Sequence, residues 1–217
     1  LNTMSITLKH RGPNGFGNWV DKEKGVGIAH RRLSIIELSS DGDQPMISTN
    51  SRFVISFNGE IYNYKELSRE LNMDGVSFND SSDTRVLLTC METWGIDKTI
   101  SKIVGMFAFS LWDKEKKELI LVRDRMGVKP MYYGWSGSDF VFASELKAIC
   151  KHPMFSKIID RDSFEFYLRH SCIQSPSSIY KNVFSLPPGK MLKISLEDVK
   201  NRILKSPESY WSLSEIC

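Results

Sequence analysis

The sequence predicts an α+β fold in which antiparallel sheets are covered by helices. Three observations predict it. Short strand-like runs occupy residues 16–57, two helix-like stretches follow between residues 63 and 95, and a second series of strand-like runs occupies residues 106–143. The 217 residues are 41% hydrophobic and 25% charged, which is enough apolar material for a full core.

Each element has its own signal. Residues 16–20 and 26–30 flank the polar turn Asp21-Lys22-Glu23-Lys24-Gly25, which predicts a hairpin. Residues 32–36 continue it, and residues 52–57 give a further strand. Leu67 and Leu71, four apart, predict a helix over 63–72, with Asn63 and Glu66 as an N-terminal capping pair. A second helix follows Ser82, with Val86, Leu87, Cys90, Met91 and Trp94 on one face and Gly95 ending it. A meander then runs through 106–112, 119–123, 131–135 and 140–143, after which Ser144 caps a helix reaching Ile149. From Pro153 the texture changes: a helix near 162–170, the turn-rich Gln174-Ser175-Pro176-Ser177-Ser178, Leu186-Pro187-Pro188-Gly189 and a strand at 190–194 read as a separate connecting segment.

Composition excludes several functions. The net charge of +3 arises from interspersed pairs such as Lys114-Glu115-Lys116, which read as solvated faces and give no clustered basic, aromatic-interleaved patch for nucleic acid. No run of 18 apolar residues and no signal-peptide pattern points to a membrane or to export. The cysteines at 90, 150, 172 and 217 have no C-x-x-C spacing, which fits reduced thiols and a cytoplasmic setting. The chain opens on Leu1 instead of an initiator Met, so residues are expected upstream of it.

The chemistry centres on Asn58-Gly59. Asn-Gly is a strong hairpin signal, yet the chain proceeds through Glu60-Ile61-Tyr62 to the helix cap at Asn63, which leaves no second strand. What remains is a strand end displaying a carboxamide, a glycine N–H open to close approach, and the Glu60 carboxylate. Two neutral donors of this kind suit an oxyanion hole, where one donor is typically worth ~3–4 kcal/mol of barrier. On the residues alone, an unusual turn and an oxyanion hole both fit.

An ordered set of motifs surrounds the pair: His10-Arg11-Gly12-Pro13, His30-Arg31-Arg32-Leu33-Ser34-Ile35, Gln44-Pro45-Met46, Phe57-Asn58-Gly59-Glu60-Ile61-Tyr62-Asn63, Ser82-Asp83-Thr84, Gly105-Met106-Phe107-Ala108-Phe109, Arg123-Asp124-Arg125-Met126-Gly127-Val128-Lys129-Pro130 and Phe142-Ala143-Ser144-Glu145-Leu146-Lys147-Ala148. This set resembles the glutamine amidotransferase domain of glutamine-hydrolysing asparagine synthetases, a class II amidotransferase. The resemblance implies the N-terminal-nucleophile hydrolase fold, a four-layer αββα sandwich of two antiparallel sheets, here lacking its first strand. It implies a glutaminase domain over 1–152, truncated at its N-terminus, and over 153–217 a connector to an ATP-dependent synthetase domain that needs ATP and Mg and forms asparagine from aspartate.

Carried over residue by residue, the resemblance implies that Arg32 holds the glutamine α-carboxylate and that Asp83, with Glu60, holds the α-ammonium. Asn58 and Gly59 would form the oxyanion hole. The implied partners are L-glutamine and the synthetase domain, with a homodimer as a possible assembly. No metal or cofactor is implied for this domain. His30 reads as a packed strand histidine, His10 has no assigned role, and Arg11 is a weak candidate for bracing the N-terminus.

Three departures stand out. The implied N-terminal cysteine, which would attack the amide with its own amine as base, lies upstream of Leu1, and Cys90, Cys150, Cys172 and Cys217 do not replace it. The expectation is that this chain by itself does not hydrolyse glutamine, and that loss of a central strand leaves it marginally stable. Asn14 stands where Asp is usual. Arg85 stands where Glu is usual, putting a cation beside the ammonium site. The alternative reading is therefore a non-catalytic scaffold of a synthetase that does not use glutamine, as in proteins resembling β-lactam synthetase.

Overall fold

The computed structural model describes residues 1–33, 42–76 and 82–215. The strand expected at 32–36 lies outside these from Ser34 onward. Strands β1 (Gly15–Asp21) and β2 (Val26–Arg32) form the predicted hairpin. Strand β3 (Met46–Ile47) joins β4 (Phe53–Ile61). Strands β5 (Gly105–Asp113), β6 (Glu118–Arg123), β7 (Tyr132–Ser136) and β8 (Asp139–Ala143) occur where expected, but as two hairpins in different sheets, β5–β6 and β7–β8, and not as one meander; β9 (Val183–Ser185), β10 (Lys190–Ser195) and β11 (Glu208–Ser209) follow. The helices are α1 (Asn2–Ile6), α2 (Tyr64–Met73), α3 (Asp83–Trp94), α4 (Ile96–Lys102), α5 (Leu146–Ile149), α6 (Arg161–His170) and α7 (Leu196–Lys200).

A six-stranded antiparallel sheet, ordered β11-β10-β6-β5-β4-β3, is the centre of the molecule. The two-residue period of its strands sorts side chains between two cores. Ile55, Phe57, Phe107, Phe109, Leu111 and Val122 pack under α2 and α3 against Leu67, Leu71, Val86, Leu87, Cys90 and Met91. Val54, Ala108, Trp112, Leu121 and Leu192 face the other way, against Ile28, Met131, Tyr133 and Leu186. That second layer comes in two pieces, the β1–β2 ribbon and the sheet β8-β7-β9. Outside it, α5 packs on β8 through Leu146 and Ile149, and α1 packs on α5 and β2. Helices, sheet, sheet and helices thus form the four αββα layers that the resemblance implied.

The structure corrects several local expectations. β4 runs to Ile61, so Asn58 and Gly59 lie inside a strand and not at its end: they pair with Ala108 and Phe107 of β5. The hairpin partner missing from the local sequence is supplied from more than forty residues downstream. Asn63 precedes α2 but makes no cap; its side chain donates to Lys102 O and accepts from Val104 N–H, fastening α2 to the start of β5. Ser144 does not cap α5, where Glu145 takes the position and uses its carboxylate elsewhere. Helices α1, α4 and α7 have no counterpart among the expected elements. The segment from Pro153 adds β9 to one sheet and β10 and β11 to the other, so much of the expected connector is packed into the same body.

Candidate functional site

A cleft of about 760 Å³ opens between the two pieces of the second layer, over the face of β4 and β5. Its walls are β2 on one side and β8 on the other, and among the described residues β2 pairs only with β1 and β8 only with β7. Each strand therefore presents one unpaired edge. The floor includes Ser56, Asn58, Ala108 and Ser110, which the two-residue period places on the same face of the sheet. Ser110 is buried at 2% exposure, and among the described residues its hydroxyl has no hydrogen-bond partner.

All five residues predicted for the site, Arg32, Asn58, Gly59, Glu60 and Asp83, line this one cleft. They come from β2, β4 and the N-terminus of α3. Gly59 owes its identity to the sheet: a Cβ there would meet Met106 O at 2.2 Å and the Phe107 Cα at 2.6 Å. Gln44 reaches β4 from the preceding loop, its side-chain oxygen accepting the Phe57 N–H. The residue before Asn58 is thereby fastened from outside the sheet.

Asp83 is the first residue of α3, and its carboxylate accepts the Ile61 N–H at 3.0 Å. This bond brings the helix end to the end of β4, beside Glu60. Burial pushes the Asp83 carboxyl above its ordinary range; hydrogen bonds from Ile61 and Thr84 pull it back, and the charge of Glu60 raises it further. Two carboxylates held together and partly desolvated repel each other and gain from a cation placed between them. Arg85 does not turn that way. Its guanidinium donates to Ile47 O at 2.9 Å, at the end of β3, so the cation that the sequence seemed to set beside this site is anchored on the neighbouring strand.

Arg32 ends β2 with a side chain only 13% exposed and pairs with Asp43 at 2.9 Å. Next to it, His30 shares a hydrogen bond with Ser56 Oγ at 3.0 Å. Burial, and then the positive charge of Arg32, lowers the His30 pKa to about 4, so at neutral pH it is an uncharged packed histidine, as expected.

Arg11 and His10 both reach Glu145 Oε1, at 3.1 and 3.0 Å, and Lys147 reaches Oε2 at 2.9 Å. Burial would raise the Glu145 carboxyl, but bonds from Lys147, Arg11 and His10 hold it below its ordinary value. The group clamps the loop after α1 to α5, which gives His10 and Arg11 a structural task.

Sequence reasoning missed the far end of the cleft. His152 and Asp139 line it, with His152 Nδ1 2.7 Å from Ser136 Oγ and Nε2 3.5 Å from Asp139. A serine, a histidine and an aspartate in contact suggest a nucleophile, but Ser136 is 1% exposed and does not line the cleft, while 3.5 Å is too long for an orienting hydrogen bond. No sequence signal joins these three. Of the described cysteines none lines the cleft: Cys90 is in the core with its thiol pushed up to about 12 by burial, Cys150 is half-buried and Cys172 is exposed.

A family model described as "Glutamine amidotransferase domain" matches residues 1–211. The chain belongs to this family. The amidotransferase domain is 34% identical over 221 residues to asparagine synthetase [glutamine-hydrolyzing] 2 of Bacillus subtilis, a match covering 100% of this chain and 28% of the relative. It is 37% identical over 194 residues to asparagine synthetase [glutamine-hydrolyzing] 1 of the same organism, covering 89% of this chain and 30% of the relative. The chain thus spans about a third of the length of these relatives. In fold it resembles glutamine phosphoribosylpyrophosphate amidotransferase from B. subtilis, with a TM-score of 0.66 at 20% identity over 96% of this chain and 46% of that one. The fold is therefore that of the N-terminal-nucleophile amidotransferases. Among the described residues no helix is long and apolar enough to cross a membrane.

Proposed function

We propose that this amidotransferase domain binds L-glutamine in the cleft and, in its parent protein, releases ammonia from it for the amidation of aspartate. The observation that carries the reading is the placement of Arg32, Asn58 and the Asp83–Glu60 pair around one cleft. A free amino acid is a zwitterion. The guanidinium fork of Arg32 matches its carboxylate, and the two carboxylates match its ammonium. In this reading Asn58 and Gly59, beside Glu60 on β4, would donate to the oxyanion formed when a thiolate attacks the side-chain amide.

The thiolate belongs, in this reading, to an extended segment upstream of Leu1. Such a segment, laid between the open edges of β2 and β8, would pair with both and join the ribbon to β8-β7-β9 in one sheet. Attack forms a thioester and expels ammonia; water then releases glutamate. The 217-residue chain by itself is proposed not to turn over glutamine, since none of its described cysteines reaches the cleft. The glutamine-handling part is taken as residues 1–152, and residues 153–217 as the segment leading to a synthetase body, which would supply the ATP- and Mg-dependent step. A cytoplasmic setting goes with this role. The scaffold alternative drew on Asn14 and Arg85; Arg85 turns to Ile47 O and so weighs less for it, while the weight of Asn14 stands.

Calorimetric titration of the parent protein with glutamine tests the reading. Saturable binding that Arg32→Ala abolishes supports it. A folded parent protein that takes up no glutamine refutes it and returns the scaffold.

A further inference from the structure

Residues 154–170 carry an unusual concentration of uncovered apolar surface. Met154, Ile158, Ile159, Phe164, Tyr167 and Leu168 are each between 44% and 67% exposed. Three of them belong to α6, which is firmly built. Asp160 accepts the Ser163 N–H at 2.9 Å at its start, and the left-handed Ser171 ends it with an N–H to Tyr167 O at 2.7 Å. Ser163 is buried, and Phe166 is half-buried with its ring 4.3 Å from that of His170. Phe164, Tyr167 and Leu168 recur at i, i+3 and i+4 and so form a second apolar stripe, turned away from the first. Arg161, Asp162, Glu165 and Arg169 occupy the remaining arc. A capped helix that is apolar on two sides and covered on one is built to be covered on the other.

Where the chain leaves the body says what covers it. Arg123, at the end of β6, contacts Ser175 Oγ in the loop leaving α6, at 3.4 Å, and its backbone carbonyl accepts the Tyr210 hydroxyl at 2.7 Å. The exit from α6 and the last described segment therefore meet on one residue. Tyr210, close to the last described residue, thus lies on the same residue that the loop leaving α6 touches. The synthetase relatives have most of their length outside the region this chain matches, since it covers 28% and 30% of them.

We propose that the outer stripe of α6, with Ile158 and Ile159 before it, is the docking face for the synthetase body carried on the same polypeptide. The proposal rests on the function proposed above and adds to it the surface through which the two bodies are held. Phe164 and Tyr167 supply rigid aromatic area and Leu168 the most exposed aliphatic contact, a composition suited to the apolar centre of an interface. The loop that leaves α6 is linked to the end of β6 through the contact of Ser175 with Arg123.

The test is cysteine accessibility in a Cys172→Ser background. Leu168→Cys and, as a control at the end of α2, Met73→Cys are placed both in this chain and in the polypeptide encoded by the whole gene. Maleimide modification is followed by peptide-resolved mass spectrometry. Leu168→Cys is expected to react at least about tenfold more slowly in the long polypeptide than in the short one, as a face open less than a tenth of the time reacts only in that fraction. Met73→Cys should react alike in both. Equal rates for Leu168→Cys overturn the proposal. So does a gene that encodes no further body, or protection already present in the short chain and rising with its concentration, which would mean a second copy. Ammonia release by the unmodified long polypeptide is measured alongside. Hydrolysis without protection sinks only the docking face, and protection without hydrolysis sinks only the glutaminase reading.

Discussion

The Asp83 carboxylate accepts the Ile61 backbone N–H at 3.0 Å, and this bond sets the first residue of α3 against the last residue of β4. Glu60 is brought beside Asp83 as a result; burial raises the proton affinity of the Asp83 carboxyl, and the charge of Glu60 adds to it. Asp83→Asn should separate binding from folding. A carboxyl raised on folding adds stability at low pH and loses it as pH rises through the folded pKa, so removing its charge does not weaken the fold at neutral pH. Glutamine binding by the parent protein should fall by roughly one to two decades, the worth of a charge-assisted hydrogen bond. Glutamine titration together with a urea melt checks both halves.

Gly59→Ala should destabilise strongly. The added Cβ would stand 2.2 Å from Met106 O and 2.6 Å from the Phe107 Cα, both backbone atoms of the paired strand. Overpacking of this kind typically costs about 1–3 kcal/mol. A urea midpoint unchanged from the parent chain would contradict the close β4–β5 approach.

Asp43→Asn should improve glutamine binding. Asp43 is 69% exposed and pairs with Arg32 at 2.9 Å, so it competes with an incoming carboxylate for the same guanidinium. Exposed pairs are worth about 0–1 kcal/mol, which limits the gain to roughly fivefold. Weaker binding in the variant would mean that Asp43 positions Arg32 and does not compete for it.

The fold should lose stability as pH falls from about 6.5 to about 4. His30, an ordinary histidine when unfolded, has its folded pKa lowered to about 4 by burial and by Arg32. The unfolded chain therefore takes up the proton first, and across that window folding is weakened by up to roughly 3 kcal/mol. His30→Gln, which keeps a partner for Ser56, should flatten this part of a urea-midpoint-against-pH profile.

Legibility followed sequence distance. The hairpin at 15–32, the α3 stripe and the four strands β5 to β8 rest on local periodicity, and the structure contains each of them, but the division of those four strands between two sheets is tertiary and was not legible. Asn58-Gly59 makes no local hairpin, as the sequence predicts, but lies inside β4 and not at a strand end, because its partners Ala108 and Phe107 lie far downstream. Asn63 carries every local mark of a cap, yet its amide is used by Lys102 and Val104, which tertiary packing brings to it. Helices α1 and α4, of five and seven residues, are too short for periodicity to declare. At the cleft, the ordered motifs named the five residues that converge there, whereas His152 and Asp139 arrive through the pairing of β7 with β8 and the turn of α5.

Ammonia release from glutamine tests the account most directly, measured on this 217-residue chain and on the polypeptide encoded by the whole gene, each verified by intact mass. The account predicts release by the long polypeptide, a raised KM for its Arg32→Ala variant, and none above background from the short chain. Release by the pure short chain, or none from a folded long polypeptide, would contradict it.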